Sequence, residues 1–237
     1  MIKISILTVS YNADSTIEQT LLSVCNQIYS DIEYIIVDGK STDNTLSIIN
    51  KYMDKISIVV SEPDKGIYDA INKGLALASG DFLLVLGSDD CLSSETAIQE
   101  AVSYMTDLSY IYYGNIYRTV RKDIYCGKYN SYKLAVKNLP HQALFYPKHI
   151  YKAKNYDMKY RLFADYVYNM ELWKASIFKY IPVLVTNYFD GASSATLEDK
   201  HFDENYKFVV IKNLGKLQYY YAYVYHLLRN IVKRGKR

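Results

Sequence analysis

Ser88-Asp89-Asp90 sets two adjacent carboxylates directly after the apolar run Phe82 to Leu86. A hard divalent cation suits such a pair, because Mg²⁺ is commonly held by one or two carboxylates while substrate phosphates complete its shell. One acid then holds metal and its neighbour meets a hydroxyl. The plainer alternative is a helix start, with Asp90 or Ser93 as the cap, and the motif alone leaves both open. Asp38 ends another apolar run, Glu33 to Val37. An acid there is commonly a turn former, but beside a Ser10-Tyr11-Asn12 turn it would accept a hydrogen bond from a base N–H or a ribose hydroxyl. Ser41 and Asp43 read as caps of the following helix.

The elements that must position these acids alternate regularly over the first ninety residues. Ile2 to Val9, Glu33 to Val37, Ile56 to Val60 and Phe82 to Leu86 are short apolar runs, and Thr16 to Ile28, Asp43 to Tyr52 and Ile67 to Ala78 have helical spacing. Strand, helix, strand repeated in this way predicts an α/β fold with parallel strands covered by helices. Ligands of such sheets bind beyond the carboxyl ends of the strands. The segments there are Ser10 to Asn12, Asp38 to Ser41, Glu62 to Gly66 and Gly87 to Asp90, four polar turns expected at one edge. The second half is less regular. Tyr110 to Tyr117, Ile124 to Tyr129, Ala143 to Tyr146 and Val183 to Phe189 read as strands and Ala164 to Ile177 as a helix. Gly215 precedes a final helix with Leu217, Tyr220, Tyr221, Val224, Leu227, Leu228 and Ile231 on one stripe.

Composition excludes several classes of protein. At 237 residues, 50% hydrophobic and 22% charged, with 4 Pro and 10 Gly, the chain is neither disordered nor of low complexity. The net charge of +3 is uneven. Residues 205–237 carry eight Lys or Arg and no acid, leaving 20 basic against 25 acidic side chains, a net of −5, before them. A nucleic-acid-binding stripe across the body is disfavoured. Cys25, Cys91 and Cys126 are widely spaced, with no C-x-x-C, and speak against a zinc ribbon or a disulfide framework. No signal peptide and no apolar stretch of the roughly 20 residues needed to span a bilayer is visible, so a cytoplasmic or peripheral protein is expected. Neither G-x-G-x-x-G nor G-x-x-x-x-G-K-[ST] occurs, which removes the usual glycine-rich phosphate cradles. A diphosphate would then be neutralised by metal.

Together, Ile4-to-Asn12 (ISILTVSYN), Val37-to-Thr45 (VDGKSTDNT), Asp64-to-Gly74 (DKGIYDAINKG) and Ser79-to-Asp90 (SGDFLLVLGSDD) resemble glycosyltransferase family 2, whose members have a GT-A fold. The resemblance covers about the first ninety-five residues well. The DKGIYDAINKG stretch is most similar to enzymes of bacterial capsule, exopolysaccharide and O-antigen assembly. The resemblance implies a Rossmann-like, mostly parallel sheet, with Thr8, Tyr11 and Asp38 around the nucleotide base. It places Asp64, Lys65 and Asn72 in the segment that closes over the nucleotide sugar, Asp89 at the ribose or sugar and Asp90 on Mg²⁺ or Mn²⁺. Gly87 stands where many members have an acid, and Lys40 where many have glycine. An inverting transfer needs a base for the acceptor hydroxyl. The family carries that acid at a helix start, often as Glu-Asp, and the match is Phe163-Ala164-Asp165-Tyr166. Asp165 is the candidate, with Asp157 and Asp190 as fallbacks and a plain N-cap as the structural alternative. His141-Gln142 after Pro140 resembles a His-Gln pair of the polysaccharide branch and is expected near the acceptor.

The expected organisation is a GT-A domain over residues 1–195, split into a nucleotide-sugar half (1–95) and an acceptor half (96–195), followed by a helical, basic extension over 196–237. The function implied is a metal-dependent inverting transfer of a hexosyl or N-acetylhexosaminyl unit. The donor would be a nucleoside diphosphate sugar, UDP-linked by preference, and the acceptor a growing, lipid-linked glycan. Tyrosines and five cations in the last nine residues suit peripheral contact with an anionic membrane through residues 216–237, although amphipathic helices more commonly pack on their own domain. A non-catalytic nucleotide-sugar-binding scaffold is the rival. A nucleotidyltransferase would advertise a glycine-rich basic loop that is absent.

Overall fold

In the computed structural model, which describes residues 1–191 and 198–234, every residue of Ile4–Ser10 (β1) is buried. Ile17–Cys25 (α1) leads to Ile32–Asp38 (β2), and Thr45–Ile49 (α2) to Ile58–Ser61 (β3). Ile67–Leu77 (α3) is followed by Phe82–Gly87 (β4). Continuous burial on both faces is what interior parallel strands require. Accordingly β1 pairs in parallel with β2 and β4, and β2 with β3. Four carboxyl ends therefore share one edge.

Alternate residues feed two cores. Leu7, Val9, Ile35 and Leu83 face Ile71 and Leu75 of α3, whereas Ile4, Ile6, Ile36 and Leu84 face Ile17 and Leu21 of α1. Gly74 brings α3 close to the sheet, since a Cβ there would fall on the Leu7 side chain.

The remaining elements are Cys91–Leu92 (β5), Ala97–Ser103 (α4), Ile111–Arg118 (β6), Asp123–Tyr125 (β7), Ser131–Val136 (α5), Leu144–Pro147 (β8), Lys148–Tyr151 (α6), Ala164–Ala175 (α7), Phe178–Tyr188 (β9), Lys200–Asn213 (α8) and Lys216–Arg234 (α9). The sheet order is β3-β2-β1-β4-β8-β6-β9-β5, with β7 on β6. Pairing turns antiparallel at β4 with β8, and β6 with β9 is parallel. The structure is a GT-A fold: a curled, mostly parallel sheet between helices.

Two sequence expectations are corrected. The strand expected to Tyr129 stops at Tyr125, because Cys126 (φ 131°) and Gly127 (φ 64°) leave the extended region. The strand expected from Val183 begins at Phe178, and an irregular register between Tyr180 and Leu184 accommodates Pro182, which has no N–H for a regular ladder. The expected boundary at residue 195, Lys236 and Arg237 lie outside the described residues.

Candidate active site

Three strand ends are level at the rim, with Ser10 opposite Asp38 and Asp38 opposite Ser61. Asp38 is fully buried and accepts hydrogen bonds from Ser10 Oγ (3.1 Å), Ser41 N–H (2.9 Å), Ser41 Oγ (2.5 Å) and Ser61 Oγ (2.7 Å). Four donors replace the water lost on burial. The carboxylate thus knots three turns together. Next in the chain, a Cβ on Gly39 would strike the Asp64 carboxylate and lie 3.3 Å from the Tyr11 ring, so glycine lets both pack against the main chain there. Lys40 adopts φ 61°, the conformation for which glycine is the usual choice. Asp64 Oδ1 accepts from Gly66 N–H (2.8 Å), and Gly66 itself (φ 118°) turns the chain into α3.

The end of β4 is built differently. Asp90 is 1% exposed; its Oδ1 accepts from Phe189 N–H (2.9 Å), while Oδ2 is buried with no hydrogen-bond partner. A Cβ on Gly87 would lie 2.8 Å from that oxygen and 3.0 Å from Asp89 Oδ1. Both carboxylates therefore crowd against the Gly87 main chain, an approach that a larger residue would obstruct. Burial, reinforced by the neighbouring Asp89 charge, pushes the Asp90 carboxyl up to about 7, and burial raises Asp89 as well.

The second half of the chain packs against these acids. Pro140 introduces a tight turn, His141–Ala143, and His141 Nδ1 lies 3.1 Å from Asp165 Oδ2 in the first turn of α7. The same oxygen accepts from Asn138 Nδ2 (2.7 Å), and Oδ1 from Tyr166 N–H (2.8 Å) and the Tyr68 hydroxyl (2.9 Å). Burial and the Asp165 charge drive the Tyr68 pKa well above its ordinary value, so it stays a donor. Asn138 is oriented in turn by Asn169 Nδ2, which donates to its Oδ1 at 3.1 Å. His141 stands near enough to Asp89 and Asp90 to favour their charged forms. Gln142 is buried beside Asp90, with its carbonyl accepting from Thr186 Oγ1 (2.6 Å).

Of the residues singled out from sequence, Tyr11 and Asp64 lie against Gly39 at the first cluster, and Asp89, Asp90, His141, Gln142 and Asp165 gather at the second. Others have different partners. Thr8 is fully buried beneath the rim, 3.2 Å from the Tyr34 hydroxyl. The Asn72 amide exchanges two hydrogen bonds with the main chain of Tyr156 (3.0 and 2.8 Å). Asp38 is closed in by its four donors. The polar groups of these three are engaged within the fold. Lys65 is exposed and lines a cavity of about 600 Å³ with Tyr68 and Arg161. Asp157 is an exposed turn residue accepting from Lys159 N–H (3.1 Å). Asp190 accepts from Val120 N–H (2.8 Å) and pairs with Arg121 at 3.2 Å. Neither fallback acid touches the Asp165 group.

Sequence reasoning missed Tyr68, Asn138 and Tyr188. Tyr188 is pushed up to about 12 by burial and then by the charges of Asp90, Asp89 and Asp165, which places it against the same acids. Tyr68 lay inside the quoted DKGIYDAINKG stretch and Asn138 three residues before His141, but nothing in the sequence marked the contacts they make.

Among the described residues no three His, Cys, Asp or Glu side chains form a metal cage. The site offers two acids instead: Asp89 and the unpartnered oxygen of Asp90, side by side at Gly87. An incomplete oxygen set of this kind fits Mg²⁺ or Mn²⁺ whose remaining positions go to phosphate and water.

The family model for Glycosyl transferase family 2 matches residues 5–180. The chain belongs to this family and is a glycosyltransferase. It is 31% identical over 208 residues to the PGL/p-HBAD biosynthesis glycosyltransferase of Mycobacterium bovis, covering 84% of this chain and 81% of that one. A glycosyltransferase of Haemophilus influenzae is 35% identical over 105 residues, covering 43% of this chain and 42% of its own. Among solved structures, S. aureus TarS 1-349 in complex with UDP-GlcNAc superposes with a TM-score of 0.73 at 18% identity, covering 93% of this chain and 69% of that one. The mannosyltransferase PcManGT of Pyrobaculum calidifontis, in complex with GDP-Man and Mn²⁺, gives a TM-score of 0.60 at 15% identity, covering 78% and 56%. At these identities the structural likeness speaks for the fold.

Proposed function

We propose that this transferase moves a hexosyl or N-acetylhexosaminyl unit, with inversion, from a UDP-linked donor to a lipid-linked glycan acceptor in bacterial surface-polysaccharide assembly, with capsule, exopolysaccharide and O-antigen as the candidate products. One observation carries the reading: the unpartnered Asp90 oxygen and Asp89 lie together at Gly87, and His141, bonded to Asp165, stands near both acids. Asp90 would hold Mg²⁺ or Mn²⁺, with Asp89 at the ribose or sugar. The ion supplies positive charge that stabilises a departing diphosphate. Tyr11, 64% exposed at the rim, offers its ring face to the base, while Asp64 and Lys65 border the donor. The Asp165–His141 pair takes the acceptor proton.

The outer face of α9 supports a peripheral membrane role at the cytoplasmic surface. Ala222 is buried, yet Leu217, Tyr220, Val224, Leu227, Leu228 and Ile231 on the opposite stripe are each 49–70% exposed. No described helix is long and apolar enough to cross a membrane. An apolar stripe ending in a cationic tail suits an anionic bilayer surface.

A panel of nucleotide sugars, each with and without Mn²⁺, tests the reading by melting temperature and by nucleotide release. A UDP-sugar that raises the melting temperature only with metal, and is split, is the expected result. Binding without release in the presence of any glycan acceptor would mark a scaffold instead. For α9, sedimentation with anionic vesicles at low salt is expected, and its absence would remove the membrane from the account.

A further inference from the structure

We propose that His141 Nε2 receives the acceptor proton and that Asp165 is its positioning residue; this deepens the transferase reading and rests on it. The Asp165 carboxylate is itself crowded. Each of its oxygens faces two hydrogen-bonding groups, Tyr166 N–H and the Tyr68 hydroxyl on Oδ1, and the Asn138 amide and His141 on Oδ2. An arriving hydroxyl would have to displace one of them.

These neighbours also fix the imidazole. A carboxylate surrounded by donors is an acceptor, so Nδ1 carries the proton and, in the neutral ring, Nε2 keeps the lone pair. Among the described residues nothing hydrogen-bonds Nε2, and the His141 side chain is 14% exposed. Asp89 and Asp90 after β4, Asp165 of α7, Tyr68 of α3 and Tyr188 of β9 are the titratable groups around this corner.

In the step, the acceptor oxygen bonds to the anomeric carbon as the carbon–oxygen bond to the diphosphate breaks. The departing nucleoside diphosphate keeps that electron pair. The hydroxyl proton passes to Nε2, and Nδ1–H stays on Asp165 Oδ2. Nothing further is consumed.

Three measurements test this. Long-range ¹H–¹⁵N correlation on the whole chain, with His141→Asn to assign the signal, should find Nδ1 protonated and Nε2 bare; the reverse tautomer overturns the proposal without needing any donor. With the UDP-sugar that the chain splits, His141→Ala should lower kcat by about 10²–10⁴-fold while the affinity for UDP with Mn²⁺ and the donor KM stay unchanged. Added imidazoles should restore turnover in order of their basicity, and the same bases should do nothing for Asp165→Asn. Near-normal kcat in His141→Ala beside a dead Asp165→Asn would make Asp165 the proton acceptor. A His141→Ala chain that instead loses UDP and Mn²⁺ binding would make His141 part of the donor site. Should the unaltered chain split no nucleotide sugar at all, the transferase reading falls separately, and the tautomer measurement still decides the His141 geometry.

Discussion

At the amino-terminal edge of the parallel strands Glu33 accepts from Ser5 Oγ (2.6 Å), Ser79 N–H (2.7 Å), Ser79 Oγ (2.5 Å) and Lys3 Nζ (3.0 Å), whereas at the carboxyl-terminal edge Asp90 has one amide and an oxygen with no partner. Burial raises Glu33, but the hydrogen bonds from Ser5, Ser79 and Lys3 outweigh it and hold the carboxyl at about 2; Asp90 sits at about 7. The same functional group, buried in the same sheet, serves as a staple where donors surround it and as unfilled binding capacity where they are missing. Asp38 lies at the ligand edge but belongs with Glu33.

Replacing the under-served acid sharpens the contrast most. Asp90→Asn should cut metal-dependent nucleotide release by at least about 10²-fold, yet raise metal-free stability by about 1 kcal/mol, because a buried charge without full compensation is removed. A destabilised variant with normal turnover would make Asp90 another staple. Asp38→Ala should behave oppositely, losing about 3 kcal/mol in urea denaturation as several buried donors lose their acceptor. Glu33→Gln should lose about 2 kcal/mol. The unfolded carboxyl titrates near 4.5 and the folded one near 2, so the Glu33 contribution is complete above pH 4.5 and disappears as pH falls from there towards 2. The variant should lack that part of the acid-unfolding profile. The smallest effect is expected for Lys40→Gly, a gain of about 0.5 kcal/mol from relief of the left-handed backbone, with nucleotide binding measured alongside to reveal any phosphate contact of the lysine.

The first ninety residues are legible because every interior strand is a continuous apolar run and every polar turn follows one. Ile4–Ser10, Ile32–Asp38 and Phe82–Gly87 are found within two residues of their expected limits. The second half resists for a physical reason. α7 is buried almost all round, Ala164 through Met170 without a break, so it lacks an amphipathic period. Tyrosine, 27 in all, replaces aliphatic core residues and satisfies its hydroxyl on distant carbonyls, as Tyr166 does on Leu134 (2.6 Å) and Tyr151 on Gly80 (2.5 Å). Contacts of that kind leave no spacing to read. The paired acids at 89 and 90 were visible as a motif, but the company of Asp165 was not. Tyr68 comes from α3, and Asn138 and His141 from the connection between α5 and β8, and only the fold brings them to one carboxylate on α7.

The two-residue strand β5 pairs with β9 immediately after Asp90, and the Phe189 amide that holds Asp90 follows β9 directly. The acids encoded in the first half of the chain are thus aimed by a strand encoded a hundred residues later. Chimeras joined near residue 95 should inherit the nucleotide rim but not the aim of its acids, unless the imported portion presents a main-chain N–H where Phe189 does. Recombination among relatives is therefore best cut so that β5 and β9 travel together.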